Sequence, residues 1–307
     1  MAIKIFIGPS SFAEIDKSPL TRLKEAGYEV IDNPYKRKLT EAELIELLPG
    51  VKGIIAGLEP LNSKVLQNCD LKVISRCGSG MSNVDTEKAK ELGIAVRSTP
   101  LGPTDAVAEL TIGCLIGLIR QIPQMNQLLH GKIWAKRIGR QLGRSCVTVI
   151  GLGNIGRRVA GLLVSFGAKV LGVDPKFSGK VDGIIVLDLK QALAAADIVT
   201  LHSSGDHCLL DDREFSLMKS GVYVLNAARG SLINEDALRR ALDSGKVAGA
   251  WLDTYQKEPY EGRFCEYEQV ILTPHIGSYT AECRSSMELE SVENLINAFE
   301  KIAYGTE

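Results

Sequence analysis

Short apolar runs alternate with amphipathic stretches along the first hundred residues. The runs are rich in Ile and Val and are bounded by Gly, Pro or charged residues, which is typical of strands. The predicted strands are Ile3–Ile7, Tyr28–Ile31, Gly53–Ala56, Lys72–Ser75 and Ile94–Val96. The predicted helices between them include Thr40–Leu48 and Asp85–Leu92. Strands that alternate with helices form a parallel sheet covered on both faces, so we predict an α/β domain here.

The same alternation returns in the second half of the chain. The predicted strands are Cys146–Ile150, Lys169–Val173, Asp197–Leu201, Val222–Asn226, Val247–Leu252 and Val270–Leu272. The predicted helices are Asn154–Phe166, Asp188–Ala194, Asp211–Lys219 and Glu235–Asp243. A last helix, from about Thr280 to Tyr304, is long enough to return to the first domain. A second α/β domain with a parallel sheet is therefore predicted.

An apolar stretch separates the two halves. Gly102 and Pro103 interrupt the first pattern, and Asp105 to Arg120 then predicts a helix that is apolar almost all round except at its ends. Such a helix packs between other elements. Its most apolar part, Leu110–Ile119, is about half the length that a membrane span requires, so we interpret it as a buried helix.

Charge and cysteine usage exclude several classes of partner. Lys plus Arg (36) nearly balances Asp plus Glu (37), so the net charge of −1 gives no attraction to nucleic acid or an anionic membrane. The seven Cys are scattered without a C-x-x-C pair, which favours reduced thiols over a disulfide framework or a zinc site. Met1–Ser10 lacks the pattern of a signal peptide. We expect a cytoplasmic protein with no metal site, no nucleic-acid partner and no membrane span.

A glycine-rich turn follows the first strand of the second half. GLGNIG matches G-x-G-x-x-G, with a strand before it, a helix after it and Asp174 at the end of the next strand. The three glycines permit a tight turn, a close approach to a pyrophosphate, and tight helix–strand packing. Asp174 would bind ribose hydroxyls and repel a 2′-phosphate, which favours NAD over NADP, although Lys176 leaves NADP open. The predicted NAD-binding residues here are Gly151, Gly153, Asn154, Ile155, Gly156 and Asp174.

Three strand-end loops in the second half supply an Arg, a carboxylate and a His. Arg229 follows the strand VYVLN, Glu258 the strand that ends in AGAWL, and His275 the last strand. Residues at the carboxyl ends of parallel strands point into the ligand crevice. An Arg binds a carboxylate through two oxygens, a His exchanges a proton near neutral pH, and a carboxylate holds the His in one tautomer. Hydride transfer at a 2-hydroxy acid requires these three groups; Glu261 is an alternative carboxylate.

These motifs resemble the D-isomer-specific 2-hydroxyacid dehydrogenase family, and more closely its phosphoglycerate dehydrogenase-like branch. The resemblance covers nearly the whole chain, with the motifs in the family's order. The matching segments are SRCGSGMSNVD (75–85), DAVAELT (105–111), GLGNIG with Asp174, NAARGSLINEDAL (226–238), LDTYQKEP (252–259) and TPHIGSYT (273–280).

The resemblance implies an architecture. It implies two doubly wound parallel-sheet domains with a cleft between them. Residues 1–99 and 281–307 would form a flavodoxin-like substrate domain, into which a Rossmann NAD-binding domain of residues 100–280 is inserted. It also implies a homodimer formed through the NAD-binding domain. The apolar stretch Leu110–Ile119 is compatible with that interface and equally with a domain core.

The resemblance also implies roles for individual residues. Arg229 would bind the substrate, Glu258 would support the histidine, and His275 would be the acid–base. The backbone of Gly78, Ser79 and Gly80 resembles the loop that holds the substrate carboxylate, and Asp253 resembles the aspartate that binds the nicotinamide amide. The other positions that the resemblance places against the cofactor are Ser79, His202, Ser203, Ala227, Ala228, Arg229, His275, Gly277 and Ser278.

One departure from the family pattern concerns the segment LHSSGD. The family usually has Pro where this chain has Ser204, and the loop that follows looks shortened. This puts the local cofactor contact in question, and not the fold.

The residues that decide the substrate are ambiguous in the sequence. Arg76 is placed to bind an extra anionic group such as a phosphate, but a salt-bridged surface Arg is an equal interpretation. Glu59, after the strand GIIA, would repel phosphate if it faced the cleft. Cys77 is interpreted as a buried structural thiol rather than a redox group. The candidate substrates are 3-phosphoglycerate and other small 2-hydroxy acids, and the rival function is an NAD(H)-sensing binding protein without turnover.

Overall fold

The computed structural model describes residues 2–205 and 207–304. Its strands are β1 (Lys4–Ile7), β2 (Glu29–Asp32), β3 (Gly53–Ala56), β4 (Val73–Arg76), β5 (Ala95–Ser98), β6 (Cys146–Ile150), β7 (Lys169–Val173), β8 (Gly179–Val181), β9 (Ile184–Val186), β10 (Ile198–Leu201), β11 (Val222–Asn226), β12 (Val247–Leu252) and β13 (Val270–Leu272). Its α-helices are α1 (Ser18–Glu25), α2 (Glu41–Leu47), α3 (Ser63–Gln67), α4 (Thr86–Glu91), α5 (Pro103–Ile119), α6 (Ile122–His130), α7 (Asn154–Ser165), α8 (Leu189–Ala195), α9 (Asp212–Leu217), α10 (Glu235–Asp243) and α11 (Ala281–Tyr304).

The chain divides into two compact units. One consists of Met1–Pro103 and Ser278–Glu307, and the other of Thr104–Gly277. The domain boundaries expected from the resemblance, at residues 99/100 and 280/281, stay predictions. The last helix, α11, contacts β3, β4 and β5, so it belongs to the sheet of the first unit.

The first unit is built on a five-stranded parallel sheet in the order β2-β1-β3-β4-β5. This is the flavodoxin-like order, in which the strand sequence reverses between β1 and β3. Apolar residues of the central strands pack with the helices into one core, which includes Phe6, Ile54 and Ile74. The predicted flavodoxin-like fold of this region is confirmed.

The second unit holds an eight-stranded sheet in the order β13-β12-β11-β10-β6-β7-β9-β8. The strands are parallel except for β8, which pairs antiparallel with β9. The run β9-β7-β6-β10-β11-β12 has the doubly wound order of dinucleotide-binding folds, with its switch point between β6 and β10. The predicted Rossmann fold is therefore confirmed as well.

Helix α5 is covered over most of its surface. Ala108 and Leu115 are completely buried in the core of the second unit, whereas a narrow stripe that includes Glu109 and Gly113 is exposed. The interpretation of Leu110–Ile119 as a buried helix agrees with this burial apart from that stripe. Among the described residues no single helix is long and apolar enough to cross a membrane, and only the pair α5 and α6, bent by 62°, reaches that standard together.

Candidate active site

Three neighbouring strands of the second sheet carry the predicted catalytic loops. In the sheet, β11 pairs with β12 and β12 with β13, in a register that aligns Asn226 with Leu252 and Leu252 with Leu272. Parallel strands end at the same edge of a sheet. The loops that contain Arg229, Glu258 and His275 therefore start side by side.

His275 and Glu258 form a hydrogen-bonded pair. The Nδ1 atom of His275 lies 2.9 Å from Oε2 and 3.1 Å from Oε1 of Glu258, and about one third of each side chain is exposed. A carboxylate at Nδ1 holds the proton on that nitrogen and leaves Nε2 to exchange a proton with a ligand. This is the arrangement that a general acid–base requires. Of the two candidate carboxylates, Glu258 is the one that contacts the imidazole, through both of its oxygens.

The backbone of His275 is held in an unusual conformation. Its φ is +54°, a left-handed value that non-glycine residues rarely adopt and that persists only where the surroundings impose it. Asp253 provides that constraint. Its carboxylate accepts hydrogen bonds from the N–H groups of Ile276 and Gly277, both at 2.9 Å, and from the hydroxyl of Thr273 at 2.6 Å.

Asp253 is itself almost fully buried, with 1% of its surface exposed. Its two oxygens thus hold together the turn that presents His275. The resemblance assigned this residue to the nicotinamide amide, and that role stays a prediction. Sequence analysis did not find the holding role, because the three donors lie about twenty residues away along the chain.

Tyr255 connects the Glu258 loop to the His275 loop. Its N–H donates to Oε1 of Glu258 at 3.2 Å, and its hydroxyl lies 3.0 Å from the carbonyl oxygen of Thr273. The ring is buried and stacks on Tyr260 with 4.3 Å between centroids. Burial raises the pKa of Tyr255, so its hydroxyl stays protonated and able to donate. Sequence analysis missed this residue, whose only signal was its position in LDTYQKEP.

The Arg229 loop packs directly against the same segment. Asn226 holds the loop by accepting from the N–H of Ala228 at 3.0 Å and donating to the carbonyl oxygen of Arg229 at 2.8 Å. A Cβ atom at Gly230 would collide with the backbone of Tyr255, so only glycine permits this approach. The half-buried Arg229 side chain donates to the carbonyl oxygen of Ala228.

The glycine-rich turn has the geometry that a dinucleotide requires. Gly151 has a φ of +93°, and a Cβ there would lie 2.6 Å from backbone atoms of His202 and Ser203. A Cβ at Gly156 would collide with the carbonyl oxygen of Gly151, so close helix packing needs glycine there too. At Gly153, the N-cap of α7, the space beside the backbone is open. A pyrophosphate can therefore approach the N–H groups at the start of α7, which also includes Asn154 and Ile155.

Asp174 lies at the end of β7 and turns toward that loop. Its Oδ2 accepts from the N–H of Leu152 at 2.8 Å and its Oδ1 from that of Lys176 at 2.9 Å. The carboxylate is half-buried, and Lys176 is exposed. This placement suits recognition of ribose hydroxyls and is unfavourable for a 2′-phosphate.

His202 is not placed to exchange protons. Its Nε2 lies 2.9 Å from the hydroxyl of Thr200, and burial lowers the pKa of the imidazole to about 3. The ring is therefore neutral at physiological pH. Within residues 2–205 and 207–304, the Nδ1 of His202 and the hydroxyl of Ser203 are buried without a hydrogen-bond partner. Unsatisfied polar atoms beside the glycine-rich turn fit a site that a cofactor completes. Ser204 and Gly205 are exposed, and the rest of the shortened motif, Asp206, lies outside the described residues.

The predicted substrate loop belongs to the first unit. Gly78 has a φ of +136°, and its N–H donates to the hydroxyl of Thr99 at 2.7 Å. The role of the Ser79 and Gly80 backbone in holding a carboxylate stays a prediction. The guanidinium of Arg76 lies over Gly78, where any side chain would collide with it. Cys77 is buried, and burial raises the pKa of its thiol to about 12, as expected for a structural thiol.

The remaining predicted residues take their places in these loops. Ala227 and Ala228 lie between Asn226 and Arg229, and Gly277 and Ser278 follow His275 at the junction of the two units. The described part of the chain contains no group of three or more His, Cys, Asp or Glu side chains that could hold a metal ion.

The fold and these motifs define an α/β dinucleotide-binding protein, and comparison with known proteins identifies which. Residues 112–277 match the model of the D-isomer specific 2-hydroxyacid dehydrogenase, NAD binding domain. The D-3-phosphoglycerate dehydrogenase of Sus scrofa is 38% identical over 274 residues, which are 86% of this chain and 51% of the relative. A Staphylococcus aureus (strain N315) protein named as a 2-hydroxyacid dehydrogenase is 34% identical over 286 residues, covering 86% of this chain and 90% of its own.

A solved structure agrees with these relatives. The glyoxylate reductase from Paecilomyes thermophila superposes with a TM-score of 0.88 at 27% identity, covering 98% of this chain and 96% of that chain. The chain belongs to the D-isomer specific 2-hydroxyacid dehydrogenase family, and residues 112–277 are its NAD-binding domain. The chain spans about half the length of the mammalian phosphoglycerate dehydrogenases that it matches.

Proposed function

We propose that this protein is an NAD-dependent dehydrogenase that interconverts a small D-2-hydroxy acid and its 2-keto acid. The observation that carries the proposal is the His275–Glu258 pair, with 2.9 Å between Nδ1 and Oε2, in loops at the same edge of the sheet as the glycine-rich turn after β6. NAD, when bound, supplies the hydride acceptor. Each remaining task falls to a residue of this chain.

The proposed proton transfer runs through His275. In oxidation, its Nε2 accepts the proton of the substrate hydroxyl while Glu258 balances the imidazolium charge. In reduction, the imidazolium returns that proton to the keto oxygen. Arg229 binds the substrate carboxylate and can do so through two oxygens. By the family resemblance, the N–H groups of Ser79 and Gly80 are further proposed donors to a substrate carboxylate.

A substrate panel tests the proposal. We expect purified protein to oxidise NADH in the presence of at least one small 2-keto acid, measured as the loss of absorbance of the reduced nicotinamide. The variant His275→Ala should lose at least about a hundredfold in kcat while still binding NADH, the usual scale for a general acid–base. His130→Ala, which removes an exposed His from α6, is the matched control and should keep normal turnover.

The rival function is a cofactor-sensing protein. It predicts NADH binding without turnover of any acid in the panel, and that result would overturn the proposed enzyme. The retained Arg229, Glu258 and His275 support turnover, because binding of NAD alone does not require a paired acid–base. NAD is proposed over NADP because the carboxylate of Asp174 faces the glycine-rich turn.

Three finer points are part of the proposal. The name shared by the mammalian relatives favours 3-phosphoglycerate as one candidate substrate. A homodimer formed through the NAD-binding domain is supported by exposed apolar side chains after α6, since Trp134 and Ile138 are 82% and 98% exposed. Sedimentation of Trp134→Glu should show a shift toward monomer. All seven cysteines are free, which supports a reducing compartment such as the cytoplasm.

A further inference from the structure

The carboxyl edge of the first sheet is organised around a buried acid, Glu59. Three neighbouring strands end here: β1 before Gly8, β3 before Gly57, and β4 at Arg76. Glu59 is 2% exposed. A Cβ atom at Gly8 would lie 2.8 Å from its carboxylate, so this carboxylate fills the space between the loops after β1 and β3.

Hydrogen bonds within and beside the loop fix the position of the Glu59 carboxylate. One oxygen accepts from the N–H of Gly57 at 2.5 Å. Asn83 holds the same loop from the other side, donating to the carbonyl oxygens of Gly57 at 3.1 Å and of Glu59 at 2.7 Å. The loop therefore presents a fixed acid at the point where the strand order of the sheet reverses, which is where ligands of doubly wound sheets bind.

The charges of Arg76 and Lys38 affect the ionisation of Glu59. Burial raises the pKa of Glu59, while hydrogen bonds from backbone N–H groups and the charges of Arg76 and Lys38 oppose the rise. The Arg76 guanidinium also donates to the carbonyl oxygen of Cys77 and lies over Gly78, at the predicted carboxylate loop. Glu59 thus offsets the positive charge that this edge would otherwise offer to an anion.

The side chain of Leu58, next to Glu59, also disfavours a phosphate at this edge. Leu58, in the loop after β3, is 44% exposed and presents an apolar surface where a phosphate-binding loop needs a donor or a cation. A phosphoryl group carries between about −1.5 and −2 charges at neutral pH, so here it would lie beside an aliphatic side chain and be repelled by a buried carboxylate.

We propose that Glu59 makes the protein select 2-hydroxy and 2-keto acids without a phosphoryl group, by occupying the switch point of the first sheet and neutralising Arg76. The inference rests on the proposed dehydrogenase activity and narrows its substrate class. Arg76 then offers no net charge for a second anionic group of the substrate. The distal group of the substrate is uncharged and small or apolar.

A matched substrate pair tests the inference on the unmodified protein. Hydroxypyruvate and 3-phosphohydroxypyruvate differ only in the phosphoryl group. With NADH, we expect kcat/KM for hydroxypyruvate to exceed that for the phosphorylated acid by about tenfold or more, because like charges brought together are strongly disfavoured. A ratio of one or less would overturn the inference while leaving the dehydrogenase proposal intact. Turnover of no acid at all in the panel would overturn the dehydrogenase proposal, and the inference with it.

The variant Glu59→Gln assigns the selectivity to this residue. The amide keeps the shape and the acceptor for Gly57 but removes the charge. We expect the ratio to fall by about fivefold or more, mainly through a lower KM for the phosphorylated acid. Glu46→Gln, at an exposed position of α2, is the control and should leave the ratio unchanged. An unchanged ratio in a Glu59→Gln protein that still reduces hydroxypyruvate would overturn the role of Glu59.

Discussion

Two loops at the same edge of the second sheet each place a histidine just beyond a parallel strand, and their surroundings give the two side chains opposite properties. His202 follows β10 and packs behind the glycine-rich turn, with only the hydroxyl of Thr200 at 2.9 Å from its ring. His275 follows β13, is about one third exposed, and meets the carboxylate of Glu258. Both histidines therefore follow a parallel strand, and the side chains around each ring decide whether it can exchange a proton.

The difference lies in the carboxylates that reach each loop. The His275 loop receives two: Glu258 at the ring and Asp253 at the backbone. The His202 ring lies against the hydroxyl of Thr200, and burial lowers its pKa to about 3. An imidazole without a counter-charge stays neutral, while one paired with a carboxylate can carry a proton. A proton-transferring histidine thus needs an acid from another loop.

The largest loss of activity is expected when the hydrogen bonds that fix the backbone of His275 are removed. Asp253→Ala leaves the N–H groups of Ile276 and Gly277 and the hydroxyl of Thr273 without their acceptor, and His275 is then free to leave its left-handed conformation. We expect kcat to fall by about a hundredfold, since small misplacements of a reacting group are that costly. Steady-state kinetics would measure it. Asp236→Ala, exposed on α10, should behave like wild type, and near-normal kcat in Asp253→Ala would show that the turn holds itself.

The next largest effect is expected from the close packing of the Arg229 loop on the backbone of Tyr255. In Gly230→Ala, the new methyl group collides with the backbone of Tyr255 and pushes the Arg229 and Glu258 loops apart. We expect a loss of about 1–3 kcal/mol in the free energy of unfolding, as for other overpacked sites. The control is Gly161→Ala on α7, where the added methyl group has open space and should stabilise the helix by roughly 0.5–1 kcal/mol. Equal stabilities for the two variants would contradict the close approach.

Much of this architecture follows from local sequence. The runs VYVLN and CVTVI are continuous and β-branched, so β11 and β6 have the predicted bounds. The hairpin of β8 and β9 was not predicted, although Asp182-Gly183 is a typical two-residue turn and both residues have positive φ. Its strands have three residues each, too short for a periodic pattern. Helices α1 and α3, of eight and five residues, were not among the helices named from the sequence.

The residue types of the candidate site could be predicted from the sequence, whereas the hydrogen bonds that join them could not. Arg229, Glu258 and His275 were found because rare chemical groups follow strong strands. The three hydrogen bonds to Asp253 and the link from Tyr255 to Thr273 join residues about twenty positions apart, and no local pattern encodes them. Glu59 was recognised as an acid at the sheet edge, but its burial depends on Gly8, fifty residues earlier. The sequence shows where the loops are, but it does not show which loops contact one another.

A pH titration would sharpen the contrast between the histidines. The folded pKa of His202 is lowered to about 3 from an ordinary value of 6.5, so between these values the unfolded chain binds a proton that the folded protein does not. The stability contributed by the neutral ring is therefore present above pH 6.5 and is lost as the pH falls toward 3. The free energy of unfolding should drop by up to about 1.4 kcal/mol per pH unit from this group.

Urea unfolding at several pH values would measure that slope. His202→Gln should flatten it between pH 6.5 and 4, because the titrating group is gone. His130→Gln, at an exposed position, should keep the wild-type slope. If His202→Gln and wild type lose stability in parallel, the ring is protonated in the folded protein, and the two histidine loops differ less than their burial indicates.

The smallest effect is expected from the link between the Glu258 and His275 loops. Tyr255→Phe keeps the ring that stacks on Tyr260 and removes only the hydroxyl near the carbonyl oxygen of Thr273. We expect a loss of about 1 kcal/mol in stability, the net worth of one hydrogen bond. Tyr267→Phe removes an exposed hydroxyl bonded to Asp243 and is the matched control. If the link also aligns the acid–base pair, the pH profile of kcat will shift in Tyr255→Phe alone. An unshifted profile would assign the alignment to Asp253, whose carboxylate accepts three hydrogen bonds from the same turn.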